Sequence, residues 1–185
     1  MSDITRTELI FTRRFCMGHR LISGCSERCA IPHGHNEYVT VTLVPGPNAP
    51  QQNQRLDGHS NMLLPFAEAK GRWHRFIDER MDHSFQLSES DPLLSWFAEH
   101  EPQRLDRLVV TPGDPTTELL AALLMSKLQA FLTAQGGLLA PASLEIKETP
   151  TNTVRLHGDP TLYLPLVGRP ADQCWWHRAD DTTRD

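Results

Sequence analysis

His33-Gly34-His35-Asn36-Glu37-Tyr38-Val39-Thr40-Val41-Thr42-Leu43-Val44 is the stretch that decides the fold of this chain. Its odd positions run His33, His35, Glu37, Val39, Val41, Leu43, and its even positions are mostly polar or small. Alternation with a period of two is the pattern of a half-buried strand, in which residues i and i+2 share a face. His33 and His35 therefore stand side by side on the face that continues as Val39, Val41 and Leu43, and both can reach one ion.

Residues 8–19 alternate in the same way. Leu9, Phe11, Phe15, Met17 and His19 share one parity, with Arg13 as the exception. The two runs predict neighbouring antiparallel strands, joined by a loop rich in Gly, Ser and Cys. This pairing brings His19 toward His33 and His35. Three neutral imidazoles leave a Zn²⁺ ion its full double charge and an open fourth position, the donor set of a catalytic site. Zinc is the first choice of metal; Fe, Co and Ni accept the same ligand type. A closed structural knuckle of Cys25, Cys29, His33 and His35, with His19 as a core histidine, is the competing arrangement. Cys29 lies four residues before His33, and a thiol held near a dication is pushed toward thiolate, a base or nucleophile. Cys25 competes for that role, and a small loop residue is the bland reading of either. His59, His74, His100, His157 and His177 read as surface residues.

The chain has 185 residues with a formal charge of −5, and 39% of it is apolar. That length predicts one domain over 1–170 with a tail over 171–185 packed by Trp175 and Trp176. Mixed charges without a basic stripe argue against nucleic acid as a partner. No apolar run approaches the ~18 residues of a membrane span, and residues 1–7 lack the apolar stretch of a secretory signal. The expected location is the cytoplasm, with reduced thiols.

Residues 45–61 read as a polar loop, 66–81 as a helix with the stripe Phe66, Ala69, Trp73, Phe76, Ile77 and Met81, and 91–97 as a helical turn. A short strand is expected over 105–110. Asp114-Pro115 predicts the start of the strongest helix, with Asp as N-cap and Pro at the first position, and Gly136-Gly137 ends it. Strands follow over 143–149 and 153–156, with another near Leu162. The order predicts an α+β domain, an antiparallel sheet with helices on one face. Glu148 shares the parity of Leu144 and Ile146 and should point inward, where it needs a partner. A ligand edge with adjacent N–H donors, as in a pterin or guanine, supplies one; so does an arginine or the backbone. Asp82 and His83 form an acid/base dyad if their side chains converge, although such pairs also serve as caps.

Taken together, Phe15-Cys16-Met17-Gly18-His19-Arg20-Leu21, Cys29-x-x-x-His33-Gly34-His35-Asn36, Met81-Asp82-His83, Pro115-Thr116-Thr117-Glu118 and Lys147-Glu148-Thr149 resemble the 6-pyruvoyltetrahydropterin synthase and 6-carboxytetrahydropterin synthase superfamily, of the tunnelling fold. The resemblance spans roughly residues 8–157. It implies that His19, His33 and His35 hold zinc, that Cys29 removes a substrate proton, and that Asp82 and His83 form the second acid/base group. It also implies that Glu148 anchors the pterin ring with help from Thr117 or Glu118. The substrate implied is 7,8-dihydroneopterin triphosphate. The short Cys-x-x-x-His spacing resembles the branch that forms 6-carboxy-5,6,7,8-tetrahydropterin for 7-deazaguanine (queuosine) synthesis; the pyruvoyl-forming branch is the alternative. The implied architecture is a four-stranded antiparallel sheet with two helices on one face, joined by further copies into a barrel, a homo-oligomer expected to be a hexamer of two trimers. Two departures stand out. Pro65 replaces the family's Asp before Phe66, and Glu37 stands where an aromatic residue follows His-Gly-His-Asn. They keep open a paralog acting on another pterin or purine-like substrate, or a non-catalytic metal- or pterin-binding paralog.

Overall fold

The computed structural model describes residues 7–24, 26–49 and 58–185, so Cys25 and residues 50–57 of the 45–61 loop lie outside the described residues. Two long strands form the spine. β1 (Leu9–His19) and β2 (His33–Pro45) run antiparallel, with Leu9 opposite Leu43 and His19 opposite His33. Beyond β2 lie β5 (Leu139–Lys147) and β6 (Thr153–His157), both antiparallel, and a bulge at Thr42/Leu43 shifts the β2–β5 register. On the other side of β1, β3 (Ser84–Ser88) pairs parallel with residues Met17 to His19, and β4 (Leu108–Thr111) pairs parallel with β3.

Among the described residues the sheet is therefore six-stranded and mixed, in the order β4-β3-β1-β2-β5-β6, not the four-stranded antiparallel sheet expected. The expected four are β1, β2, β5 and β6. The other two are short, and β3 carries Ser84, Gln86 and Ser88 on its buried positions, so no apolar alternation announces it. The strand expected over 105–110 begins only at Leu108, after a 3₁₀ turn at Pro102–Arg107. The strand expected near Leu162 is a 3₁₀ turn, Pro160–Leu162, whose first free N–H groups are met by the Asp159 carboxylate at Thr161.

A four-residue helix, α1 (Glu27–Ala30), lies in the β1–β2 connection. α2 (Phe66–Phe76) continues as a wider turn over Ile77–Met81, where the Asp82 N–H reaches back five residues to the Ile77 carbonyl. Its stripe buries Ala69, Trp73, Phe76, Ile77 and Met81, but Phe66 is exposed, its ring edge-on to Phe11 at 5.7 Å. α3 (Leu93–His100) packs the Phe97 ring against Phe85. α4 (Thr117–Ala134) covers the face of β1, β2 and β5 that carries Phe11, Phe15, Val39, Val41, Leu144 and Ile146. Each large apolar side chain buried there contributes roughly 1.5–3 kcal/mol. By length and composition α4 is apolar enough to cross a bilayer, contrary to the expectation from sequence. It is the core helix, with Leu120 to Leu128 buried without interruption.

The N-cap of α4 is Thr116, whose hydroxyl accepts from the Leu119 N–H at 3.3 Å, not Asp114. The Asp114 carboxylate is engaged elsewhere. It accepts from the Ile22 and Ser23 backbone N–H groups at 2.9 Å and from the Ser23 hydroxyl, tying down the loop after β1. These bonds hold its carboxyl below the usual range against the opposing effect of burial. The tail packs through Trp175 and Trp176, both buried. It also lies along the outer edge of β4, where the Val110 N–H donates to the Thr183 carbonyl at 2.9 Å. Lys127, fully buried in α4, donates to the Trp175 carbonyl at 2.8 Å and to Asp180 at 3.3 Å.

Candidate functional site

The β1–β2 register sets His19 directly opposite His33, with His35 two residues along the same face. Glycine lets the strands approach at this point. A Cβ on Gly34 would lie 2.5 Å from the Met17 carbonyl oxygen, and one on Gly18 would press on the Phe85 ring at 3.2 Å. The ring centroids of His19 and His33 are 4.5 Å apart, and each lies 5.1 Å from that of His35. One nitrogen from each ring lies within 4.8 Å of the others.

Two of the rings are held from behind. His19 Nδ1 bonds the Pro115 carbonyl at 3.0 Å, and His33 Nδ1 bonds the Ile31 carbonyl at 2.9 Å. A carbonyl only accepts, so both Nδ1 atoms carry the proton and both Nε2 atoms present lone pairs. Those two Nε2 atoms are 3.1 Å apart. Outer hydrogen bonds that fix tautomer and ring direction are the usual support of metal-ligating histidines. Burial, followed by the neighbouring His33 and His35, pushes the His19 pKa down and keeps the ring neutral. The donor set fits a tetrahedral dication with one position left for a ligand.

The triad opens into a cavity of about 630 Å³, bordered also by Cys29, Thr117, Glu118 and Glu148. Cys29 reaches it because its carbonyl accepts from the Leu21 N–H at 2.8 Å, folding the loop back onto the end of β1. Among the described residues the metal-competent group contains the three histidines alone, so Cys29 borders the site without being one of the donors. Glu148 follows the end of β5, and the Thr117 hydroxyl donates to its Oε1 at 2.6 Å. Thr117 is the first residue of α4, so the carboxylate sits at the positive end of the helix dipole.

Asp82 and His83 do converge: His83 Nδ1 and Asp82 Oδ2 are 2.9 Å apart. They are not brought into the cavity. The pair hangs on the outer edge of β1, where Asp82 accepts from the Cys16 N–H and the His83 N–H donates to the Cys16 carbonyl. The first of these bonds holds the Asp82 carboxyl below its ordinary value. The His83 side chain is 77% exposed, and its φ of +60° is a left-handed conformation rare outside glycine. Such strain, held in place by hydrogen bonds, is typical of functional positions.

Two polar residues of the site face were not assigned a role from sequence. Glu37 is 1% exposed with no partner for Oε2 among the described residues, and burial followed by the charge of Glu148 raises its carboxyl to about 8. Gln86 lies opposite His19, fully buried, with neither amide atom partnered among the described residues. The parity of 33–43 points to Glu37; nothing in the sequence marks Gln86, because β3 itself is not legible. Arg20, next to His19, forms a two-pronged ion pair with the buried Asp91, which anchors the end of β1. Of the histidines read as surface residues, His74 and His177 are half-buried, and His177 Nδ1 lies 3.0 Å from the Ser126 hydroxyl.

Residues 8–159 match the sequence profile of the family described as 6-pyruvoyl tetrahydropterin synthase. The chain belongs to this family. A probable 6-carboxy-5,6,7,8-tetrahydropterin synthase of Halobacterium salinarum is 29% identical over 140 residues, which covers 76% of this chain and 79% of the relative. In fold, the chain is similar to the uncharacterized protein WS1659 of Wolinella succinogenes, with a TM-score of 0.65 at 24% identity over 84% of this chain and 99% of that one. It is also similar to the 6-pyruvoyl tetrahydropterin synthase of Caenorhabditis elegans, with a TM-score of 0.53 at 21% identity over 86% of this chain and 100% of that one. The family match ends just before the segment that carries the tryptophan-packed tail.

Proposed function

We propose that the protein is a zinc-dependent lyase that converts 7,8-dihydroneopterin triphosphate to 6-carboxy-5,6,7,8-tetrahydropterin, with release of triphosphate and acetaldehyde, in the route to 7-deazaguanine. The observation that carries this reading is the convergence of His19 and His33 Nε2 atoms, 3.1 Å apart, in a cavity that also holds Cys29 and Glu148. Membership of the family, the name of the Halobacterium relative and the short Cys29-to-His33 spacing support the carboxy-forming branch.

His19, His33 and His35 would hold the ion. When bound, zinc acidifies a coordinated hydroxyl and polarises a coordinated carbonyl. Glu148 accepts the adjacent N–H groups of the pterin ring, its direction fixed by Thr117, and Glu118 flanks that anchor. Cys29 takes the proton from the substrate side chain. Asp82 fixes the Nδ1 proton of His83 and leaves Nε2 as the second proton-transfer atom.

Since His83 stands outside the cavity of its own chain, the reaction calls for a homo-oligomer in which a neighbour supplies it, a hexamer of two trimers by the family resemblance. β6 ends the sheet order, and β1 is paired with β3 only from Met17 to His19. Such open edges favour joining. A second reading, a paralog acting on a different amino-substituted heterocycle, is favoured by the buried Glu37. Mass analysis of products formed from dihydroneopterin triphosphate by the zinc-loaded protein tests the proposal. A 6-carboxy product supports it, a 6-pyruvoyl product moves the protein to the other branch, and absence of turnover ends the first reading in favour of the second.

A further inference from the structure

Glu37 is a polar side chain of the site that the proposed reaction leaves unused. It lies on β2 two residues beyond His35 and on the same face. On the neighbouring strand Lys147, the last residue of β5, is opposite Tyr38, and the chain direction carries Glu148, the next residue, toward the level of Glu37. Side chains facing one way from opposed positions have Cβ atoms about 5 Å apart. The following row on that face, Val39 opposite Ile146, is apolar and fully buried. Glu37 and Glu148 thus form the last polar row before the core: Glu148 borders the cavity, and Glu37 lies beside it in the layer beneath the lining residues. The Thr117 hydroxyl occupies Oε1 of Glu148. Oε2 of Glu37 is buried and has no hydrogen-bond partner among the described residues. A buried polar atom left unpaired is costly, and such an atom beside a binding cavity calls for a partner that arrives with the ligand.

We propose that Glu37 is a ring-recognition residue: its free oxygen accepts a hydrogen bond from the exocyclic amine of a 2-amino-4-oxo heterocycle whose ring N–H and amine are held by Glu148. The assignment rests on the pterin reading above. An exocyclic amine carries two hydrogens. One points the same way as the adjacent ring N–H, and a single carboxylate takes both. The other points away and needs a second acceptor, which an aromatic side chain at this position cannot supply. A ring with a carbonyl in place of the amine offers this acceptor no hydrogen. Glu37 therefore selects for the amine, a discrimination that a hydrogen-bonding pocket enforces strongly because its own groups are otherwise left unpaired.

Titration calorimetry on the metal-loaded protein with pterin and with lumazine (2,4-dioxopteridine), neither of which carries the side chain needed for turnover, tests the assignment. Glu37→Leu should weaken pterin binding about tenfold or more and leave lumazine unchanged, and Glu37→Gln, which keeps a carbonyl oxygen, should stay near wild type. Independently of any variant, wild-type protein should bind N2-methylpterin about tenfold more weakly than pterin, a comparison that stands even if Glu37→Leu does not fold. Equal binding of the methylated ring, or Glu37→Leu affinities that fall equally for both pteridines or for neither, overturns the role of Glu37 while the pterin reading stands. Wild-type protein that binds neither pteridine overturns both.

Discussion

Replacing Glu37 by Gln in the metal-free protein should change how stability depends on pH. The side chain is 1% exposed, and its carboxyl is raised from 4.5 to about 8 by burial and by Glu148. The folded protein therefore holds a proton that the unfolded chain has already released over that range. Where the native state binds more protons, stability falls as pH rises. The stabilisation is complete below the unfolded value, declines from about pH 4.5, and is gone above about pH 8. At about 1.4 kcal/mol per pH unit, this window amounts to about 5 kcal/mol between its ends. Glutamine has the same shape and nothing to titrate. Urea unfolding in chelator at several pH values from 5 to 8 should give wild-type and Glu37→Gln curves that diverge, with the variant gaining on wild type by about 1.4 kcal/mol per pH unit. His19, His74 and His177, whose values are lowered mainly by burial, titrate in both proteins and cancel in the difference. Curves that stay parallel across this range would show that Glu37 is solvated or ion-paired and would refute the reasoning.

Metal analysis and turnover should separate the ligands from the thiol. His33→Ala should lose zinc and more than about 100-fold in activity, beyond what loss of a supporting partner costs. Cys29→Ala should keep a full complement of zinc while activity falls about 10²- to 10⁴-fold, as for loss of a general base; loss of metal from Cys29→Ala would revive the structural knuckle. Mixed assemblies of Cys29→Ala and His83→Ala subunits should regain activity that neither variant shows alone, and their continued inactivity would exclude a neighbour's His83 as the second acid/base group. Asp91→Ala should lower stability by about 3–5 kcal/mol, because it strands Arg20 without its buried partner, and a loss below about 1 kcal/mol in denaturant unfolding would contradict that placement.

The parts of the site legible in the sequence are those set by strand parity. His33, His35 and Glu37 fall on the face occupied by Val39 and Val41, as the alternation requires, and Glu148 follows Leu144 and Ile146 to the same side. The start of α4 was legible only approximately. Asp114, Thr116 and Thr117 are all plausible capping residues, and the choice among them depends on Ile22 and Ser23, which lie some ninety residues away in the chain and claim Asp114. β3 and β4 were misread or missed for another reason. A short parallel strand takes its partners from distant sequence, and the polar residues buried along β3 remove the apolar signal.

The least legible relation was the one between the two halves of the proposed chemistry. Parity places side chains on a face, but Asp82 and His83 are not held by a face. They are held by the backbone of Cys16, through groups that point outward along the sheet edge. The same backbone bonds fix His83 at φ +60° and leave its ring exposed. An edge-bound imidazole beside an open strand and a thiol enclosed in the cavity of the same chain are a poor pair for one proton relay. The proposed assembly would make them a sound pair by bringing the exposed ring of one chain to the cavity of another. On the proposed reading the exposed ring and the incomplete site have one cause, which assembly would resolve.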